Sequence, residues 1–160
     1  MKKSVIITII LVIAALLPVA WYLASPLFIN KIVNEEIPIS GNIDVIKQES
    51  DSLNSTYKGV FMGADSFHKT EGKALIISQE GNTYLRLEDF TSTNGPDLKV
   101  YLSEDINAKS YVSLGELKGN IGNQNYEIPK NTDLSKYKYA LIWCEKFRVL
   151  FGHSELAQIT

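Results

Sequence analysis

The stretch that decides the fold is "KALIISQEGNTYLRLEDF", residues 73–90. Two runs of alternating apolar residues flank "QEGN", which is a typical hairpin turn sequence. Successive side chains of a strand point to opposite faces. Leu85 and Leu87 are therefore expected to face a core, and Arg86 and Glu88 to face outward. The stretch predicts two adjacent antiparallel strands.

Short apolar runs of the same kind continue on both sides of this hairpin. They bring the total to about eight strands, at the close spacing typical of sandwiches and barrels. We predict an all-β domain, a single β-sandwich of mostly antiparallel strands, with a small β-barrel as the alternative. In "YALIWC" both faces are apolar, so this strand is expected to be central. The further runs are "KGVFM" (58–62), "DLKVYLS" (97–103), "YVSLGEL" (111–117), "NQNYEIP" (123–129), "YALIWC" (139–144) and "FRVLFG" (147–152).

The chain opens with an uncharged apolar segment, "SVIITIILVIAALLPVAWYLA", residues 4–24. About 20 apolar residues are what a helix needs to cross the hydrocarbon core. Lys2 and Lys3 precede the segment, which favours a cytoplasmic N-terminus, and Trp21 suits the outer aromatic belt. We predict an N-terminal transmembrane helix that acts as a signal-anchor. The alternative is a signal peptide cleaved after Ala24.

Three parts of the chain follow from these patterns. Residues 1–24 are the membrane anchor. Residues 25–55 combine Pro, Gly, Asn and Ser with scattered charge and no sustained period, which is typical of a stalk or linker. Residues 56–160 form the β domain, and their length is enough for a core of their own. The expected localisation is the cell membrane, single-pass, with the domain extracytoplasmic.

Composition excludes several classes of function. The 160 residues are 45% hydrophobic and 21% charged with a net charge of −2, so no nucleic-acid partner is expected. Phosphate-binding loops are missing from the sequence. The single cysteine excludes an intrachain disulfide and a zinc site of several thiolates. No nucleophile motif or Ser-His-Asp arrangement is present, so a non-enzyme is favoured and no catalytic or metal-binding residue is assigned.

Four blocks carry a resemblance to a known family. Together the blocks cover about residues 57–157, and their sequences and their order along the chain resemble the DM-thirteen domain. That domain is described as an electron-transfer or redox domain of the cell surface. The resemblance implies an all-β domain that is attached to membranes or joined to other extracellular domains, including haem-binding ones. The blocks are "GVFMGADSFHKTEGKALI" (59–76), "LRLEDFTSTNGPDLKVYLS" (85–103), "LGELKGNIGNQNYEIP" (114–129) and "YALIWCEKFRVLFGHSEL" (139–156).

Cys144 is the redox candidate, because the redox role suggested for the family rests mainly on the cysteine that it matches. As a functional group it would be a thiolate that is oxidised or forms a mixed disulfide. As a structural group it would be a small buried hydrophobe. Strand alternation places Lys146 on the same face, where it would lower the thiol pKa. In the third block, Gly119 and Gly122 are interpreted as turn and strand-end residues.

His68 matches the family's histidine in the first block and is a possible neighbour of Cys144. The alternative is a loop histidine that bonds to backbone groups and fixes the loop. With Cys144 and His153 it would supply the ligands of a blue-copper site, with Met62 as axial group. A whole strand separates Cys144 from His153, which argues against this arrangement. No cofactor is predicted, and haem and copper remain alternatives.

The leading functional hypothesis is a membrane-anchored extracytoplasmic domain that takes part in redox or electron transfer through its single cysteine. The alternative is a non-catalytic surface binding or adhesion module in which Cys144 is core packing. The expected partners are the lipid bilayer, through residues 4–24, and an extracytoplasmic protein or redox partner that the sequence does not identify.

Overall fold

A computed structural model describes residues 3–25, 29–38, 55–79 and 81–159. One helix and ten strands make up the regular structure of these residues. They are α1 (Lys3–Ala24), β1 (Ser55–Val60), β2 (Met62–Gly63), β3 (Thr70–Gln79), β4 (Asn82–Ser92), β5 (Leu98–Ser103), β6 (Tyr111–Glu116), β7 (Ile121–Ile128), β8 (Tyr139–Cys144), β9 (Val149–Glu155) and β10 (Ala157–Gln158).

The strands form two five-stranded sheets. Sheet A has the order β10-β1-β3-β4-β7 and sheet B the order β2-β9-β8-β5-β6. All strand pairs within them are antiparallel. This is the predicted sandwich rather than the single closed sheet of its alternative. The count exceeds eight because β2 and β10 are two-residue edges, too short to produce a sequence pattern.

One apolar core lies between the two sheets. The predicted inward pair, Leu85 and Leu87, is fully buried. Arg86 alternates with this inward pair and does not belong to the core cluster, but it is nevertheless buried, where it donates to Glu88, Asn125 and the carbonyl of Glu35. The core is completed by residues from both sheets, including Ala74, Ile76, Phe90, Tyr126 and Ile128 from sheet A and Leu98, Val100, Leu102, Ala140, Ile142, Cys144 and Phe151 from sheet B.

The central position predicted for "YALIWC" is confirmed. β8 lies between β9 and β5 and pairs with both along its length. Ile142 belongs to the core cluster, and Leu141 on the opposite face is also fully buried. The β3–β4 hairpin is confirmed as well. Gln79 pairs with Asn82, and Gly81 in the turn has a φ of +79°, a conformation that favours glycine.

α1 covers the predicted helix at residues 4–24. Its apolar side chains are exposed, among them Ile10, Leu11, Leu17 and Trp21. Within the described part of the chain, no helix has both the length and the apolar character needed to cross a membrane. The structure therefore does not support the transmembrane part of the fold prediction.

Part of the predicted stalk lies on the sandwich. Residues 29–36, which we name the docked segment, run parallel to β7 and form a bridge between Ile32 and Ile121. The amide of Val33 donates to Ile121 O at 2.9 Å, and that of Glu35 donates to Asn123 O at 2.8 Å. The docked segment thus extends the β7 edge of sheet A. Residues 39–54 of the predicted stalk lie outside the described residues.

Candidate functional site

Cys144 lies at the end of β8, inside the core. Its Cα partners are Leu98 on β5 and Val149 on β9. The residue is a free cysteine and is fully buried. Reactive cysteines are usually partly exposed in electropositive surroundings, whereas buried ones are inert. In this position the thiol contacts apolar side chains rather than solvent.

The chain turns directly after Cys144. Residues 145–148 form the turn into β9, and the side chains of Lys146 and Arg148 are exposed on it. Lys146 was expected on the face of Cys144 because strand alternation was extended beyond the end of the strand. Since β8 ends at Cys144, that placement was wrong.

His68 is held in the loop between β2 and β3 by Asp65. Its ring Nδ1 lies 2.7 Å from Asp65 Oδ2, and its backbone N–H donates to Asp65 Oδ1 at 2.8 Å. The amide of Phe67 donates to the same Oδ1 at 2.7 Å. These bonds, led by the one from the His68 side chain, lower the pKa of Asp65 to about 2. They fix the shape of the loop.

The ring of His68 also contacts a residue of the core. Its ring lies 4.3 Å from the ring of Phe151, centroid to centroid, and Phe151 belongs to the same buried cluster as Cys144. His68 thus contacts Asp65 and Phe151, and Phe151 stands between the loop and the core. The His68 ring bonds to a carboxylate rather than to the backbone groups of the loop-fixing alternative. Its role as a neighbour of the thiol stays a prediction.

The blue-copper ligand set is not assembled. Among the described residues, no three His, Cys, Asp or Glu side chains are grouped so that they could hold a metal ion. His153 lies on β9, where its Cα partners are Met62 and Leu141. His68, Cys144 and His153 therefore do not share one site.

A cavity of about 520 Å³ lies between the start of the docked segment and the loops after β4 and β6. Its volume is within the usual range of small-molecule sites. Leu98 lines the cavity and is also the cross-strand partner of Cys144. Leu98 therefore belongs both to the cavity wall and to the strand pair that holds Cys144, whereas Cys144 itself does not line the cavity. Polar groups on the wall include Asn30, Lys31, Asn94, Asp97, Glu116 and Asn120.

An ion pair fastens the docked segment to sheet A. Lys118 Nζ donates to Glu35 Oε1 at 2.7 Å and Oε2 at 3.0 Å, and the amide of Asn125 donates to Oε2 at 2.7 Å. Burial alone would raise the pKa of Glu35, but the hydrogen bonds from Lys118 and Asn125 outweigh it and lower that pKa. Arg86 contributes a further bond to the carbonyl of Glu35 at 3.2 Å.

Two glycines leave room for the docked segment. A Cβ at Gly119 would meet the carbonyl oxygen of Lys31, and one at Gly122 that of Val33. Both glycines were interpreted only as turn residues. The "LKGNIG" sequence (117–122) does carry the signal, since it combines Lys118 with both glycines. The docked segment that it contacts has no periodic sequence pattern, so the contact between the two could not be predicted from the sequence.

The fold and the thiol together define a small antiparallel β-sandwich domain with one free cysteine buried at a strand end. A family model described as electron transfer DM13 matches residues 61–156. The chain belongs to this family, which confirms the DM-thirteen resemblance. Comparisons with curated proteins and with solved structures gave no match.

Proposed function

We propose that the chain has a redox-related role outside the cytoplasm, with Cys144 as the redox group. The observation that carries the proposal is membership of the electron transfer DM13 family over residues 61–156. Cys144 is the single cysteine of the chain. It cannot form an intrachain disulfide, so any disulfide chemistry at this thiol involves a second molecule.

The route to the thiol is the main constraint on this chemistry. Cys144 is fully buried and does not line the cavity, but its cross-strand partner Leu98 does. A small reagent therefore reaches the thiol through the cavity when Leu98 moves, rather than directly from solvent. This proposal explains how a thiol shielded in the folded state can still react.

Truncation of Leu98 tests this route. Leu98→Ala is expected to speed alkylation of Cys144 by a small neutral maleimide at least tenfold in folded protein. Leu102→Ala is the matched control, because Leu102 is a buried leucine on the same face of β5 that does not line the cavity. Equal acceleration in both variants would show that general loosening, not the cavity, gives access.

The same proposal places the chain in the cell membrane, single-pass through residues 4–24, with its N-terminus cytoplasmic and the domain outside. Two features support it. The segment is uncharged, and α1 exposes apolar side chains such as Ile10, Leu11 and Leu17. Exposure of so many apolar side chains to water is unfavourable. A lipid phase would bury them. Leu11→Lys with Leu17→Lys is expected to release the chain from carbonate-washed membranes; retention would contradict this attachment.

A second candidate function is favoured by the burial of the thiol itself. In a binding or adhesion module, Cys144 would only fill space in the core. Cys144→Ala separates the two candidates, because it removes the sulfur and nearly preserves the packing. A folded Cys144→Ala chain that no longer exchanges with glutathione disulfide, while the wild-type chain does, supports the redox role. A wild-type chain that never exchanges while folded supports the binding module.

A further inference from the structure

We propose that the end of the sandwich next to α1 lies on the lipid headgroup surface and inserts Phe67 and Phe147 into it. This inference rests on the membrane attachment proposed above. It adds an interaction surface, a lipid partner and an orientation for the domain. The end in question comprises the loops 64–69, 93–97, 117–120 and 145–148, which we name the α1-proximal end.

The docked segment fixes which end of the sandwich is next to α1. The amide of Ile29 donates to Ser25 O at 3.1 Å, directly after the helix. Asn94 Nδ2 donates to Ile29 O at 3.2 Å, and Asn120 Nδ2 donates to Asn30 Oδ1 at 2.9 Å. The start of the docked segment is thus bonded to the loops after β4 and β6. These bonds keep Ile29 and Asn30, which follow α1 closely in the chain, at this end of the domain.

The two phenylalanines lie on loops at this same end. The amide of Thr93 donates to Lys69 O at 2.9 Å, which joins the Phe67 loop to the loop after β4. The amide of Glu145 donates to Asp97 O at 2.9 Å, which joins the Phe147 turn to that loop as well. Both loops are therefore neighbours of the loop that contacts the start of the docked segment.

Both phenylalanines point away from the protein. Phe67 is 83% exposed and Phe147 is 62% exposed. The Asp65 bonds described above include the amide of Phe67 and so hold its loop in place. A loop that holds a large apolar ring in water forgoes the favourable free energy that burial of the ring would provide. Aromatic side chains at membrane interfaces recover part of it.

The charges on these two loops favour an anionic surface. Asp65 is paired with His68, and Glu145 lies 4.0 Å from Lys99. The basic side chains beside the phenylalanines, at Lys69, Lys146 and Arg148, form no ion pair with the residues that the structure describes. Free Lys and Arg side chains next to an inserted ring match phosphate headgroups.

The test uses the full chain in vesicles of phosphatidylcholine, with and without phosphatidylglycerol. A cysteine-reactive fluorophore is attached in F67C, F147C and the control I106C, and a quencher is carried on the lipid chains. Ile106 is an exposed apolar residue, 40% accessible, in the loop after β5 at the opposite end of the sandwich. All three variants also carry Cys144→Ala, and the Cys144→Ala chain gives the background, because the route proposed above would let the fluorophore reach Cys144.

We expect quenching at positions 67 and 147 to exceed that at position 106 by at least threefold, and to increase with phosphatidylglycerol. Substitution of K146E and R148E should remove the increase with phosphatidylglycerol at position 147. Equal quenching at the three positions, in chains that float with the vesicles, would overturn the orientation while leaving the attachment intact. Chains that fail to float would overturn the attachment, and the orientation with it.

Discussion

The two ends of the sandwich differ in how their loops meet the surroundings. The α1-proximal end displays Phe67 and Phe147 and contains the cavity that Leu98 lines. At the opposite end, polar side chains of the loops bond to other residues of the same or the neighbouring loop. Ser110 Oγ donates to the Glu104 carboxylate, and Lys136 Nζ lies 3.0 Å from the same carboxylate. The proposed lipid contact and the proposed redox chemistry both use residues of the first end, and neither uses a residue of the second.

The largest expected effect comes from breaking the docked segment away from the α1-proximal end. Gly122→Ala should destabilise the domain by about 3 kcal/mol, since it combines backbone strain with a clash against Val33 O. Gly115→Ala is the matched control: φ is +109° there and +106° at Gly122, but nothing lies within 4 Å of a Cβ at Gly115. It should cost about 1 kcal/mol. Denaturant unfolding measures both.

If the two variants lose equal stability, the docked segment adds nothing to the fold. The α1-proximal end would then lack the fixed connection to α1 on which its proposed orientation depends.

The next effect concerns the core at Cys144. Cys144→Ser should cost about 2 kcal/mol, because it places a hydroxyl among apolar side chains that offer it no partner. Cys144→Ala should cost about 1 kcal/mol, the price of a small cavity. Thermal or denaturant unfolding gives the difference. A serine variant as stable as the alanine variant would mean that the site is more polar than its neighbours Leu98 and Val149 indicate.

A smaller effect is the pH dependence of the docked segment. The pKa of Glu35 is lowered in the folded chain, so its contribution to stability is complete above the ordinary value of 4.5. That contribution is lost as the pH falls through the lowered pKa. The hydrogen-exchange protection factors of the amides at residues 31–35, which correct for the intrinsic pH dependence of exchange, should therefore fall selectively in acid. Glu35→Gln should remove this dependence; an unchanged acid response in that variant would assign it to another group.

The smallest effect is expected at the opposite end. Lys136→Met removes the ion pair with Glu104, whose partners are both partly exposed. Exposed pairs of this kind contribute little to stability. We expect no measurable change in unfolding, and none in lipid quenching at positions 67 and 147. A clear change in quenching would show that the two ends are coupled, and the contrast between them would fail.

The alternating sequence pattern predicted correctly which side chains of a strand point to the core. The pairs Leu85 with Leu87 and Ile142 with Cys144 follow from alternation alone. Burial of Arg86 does not, because it depends on a segment 51 residues away in the chain. The Glu35–Lys118 pair has the same origin, with 83 residues between its partners.

The candidate site was predicted less completely than the fold. Cys144 was identified from the family resemblance, but its burial depends on the neighbouring strands β5 and β9. The Asp65–His68 pair was within reach of the sequence, because the two residues are three positions apart in a turn. Lys146 was misplaced because alternation says nothing about where a strand ends.

The most direct test of the central claim compares two rates in the full chain. The first is formation of a mixed disulfide between Cys144 and glutathione, from glutathione disulfide, followed by mass spectrometry under native conditions. The second is global unfolding under the same conditions. The account predicts that the thiol reacts much faster than the sandwich unfolds, since the proposed route requires movement of Leu98 and not unfolding of the domain. Reaction only at the unfolding rate would contradict it and leave Cys144 as core packing.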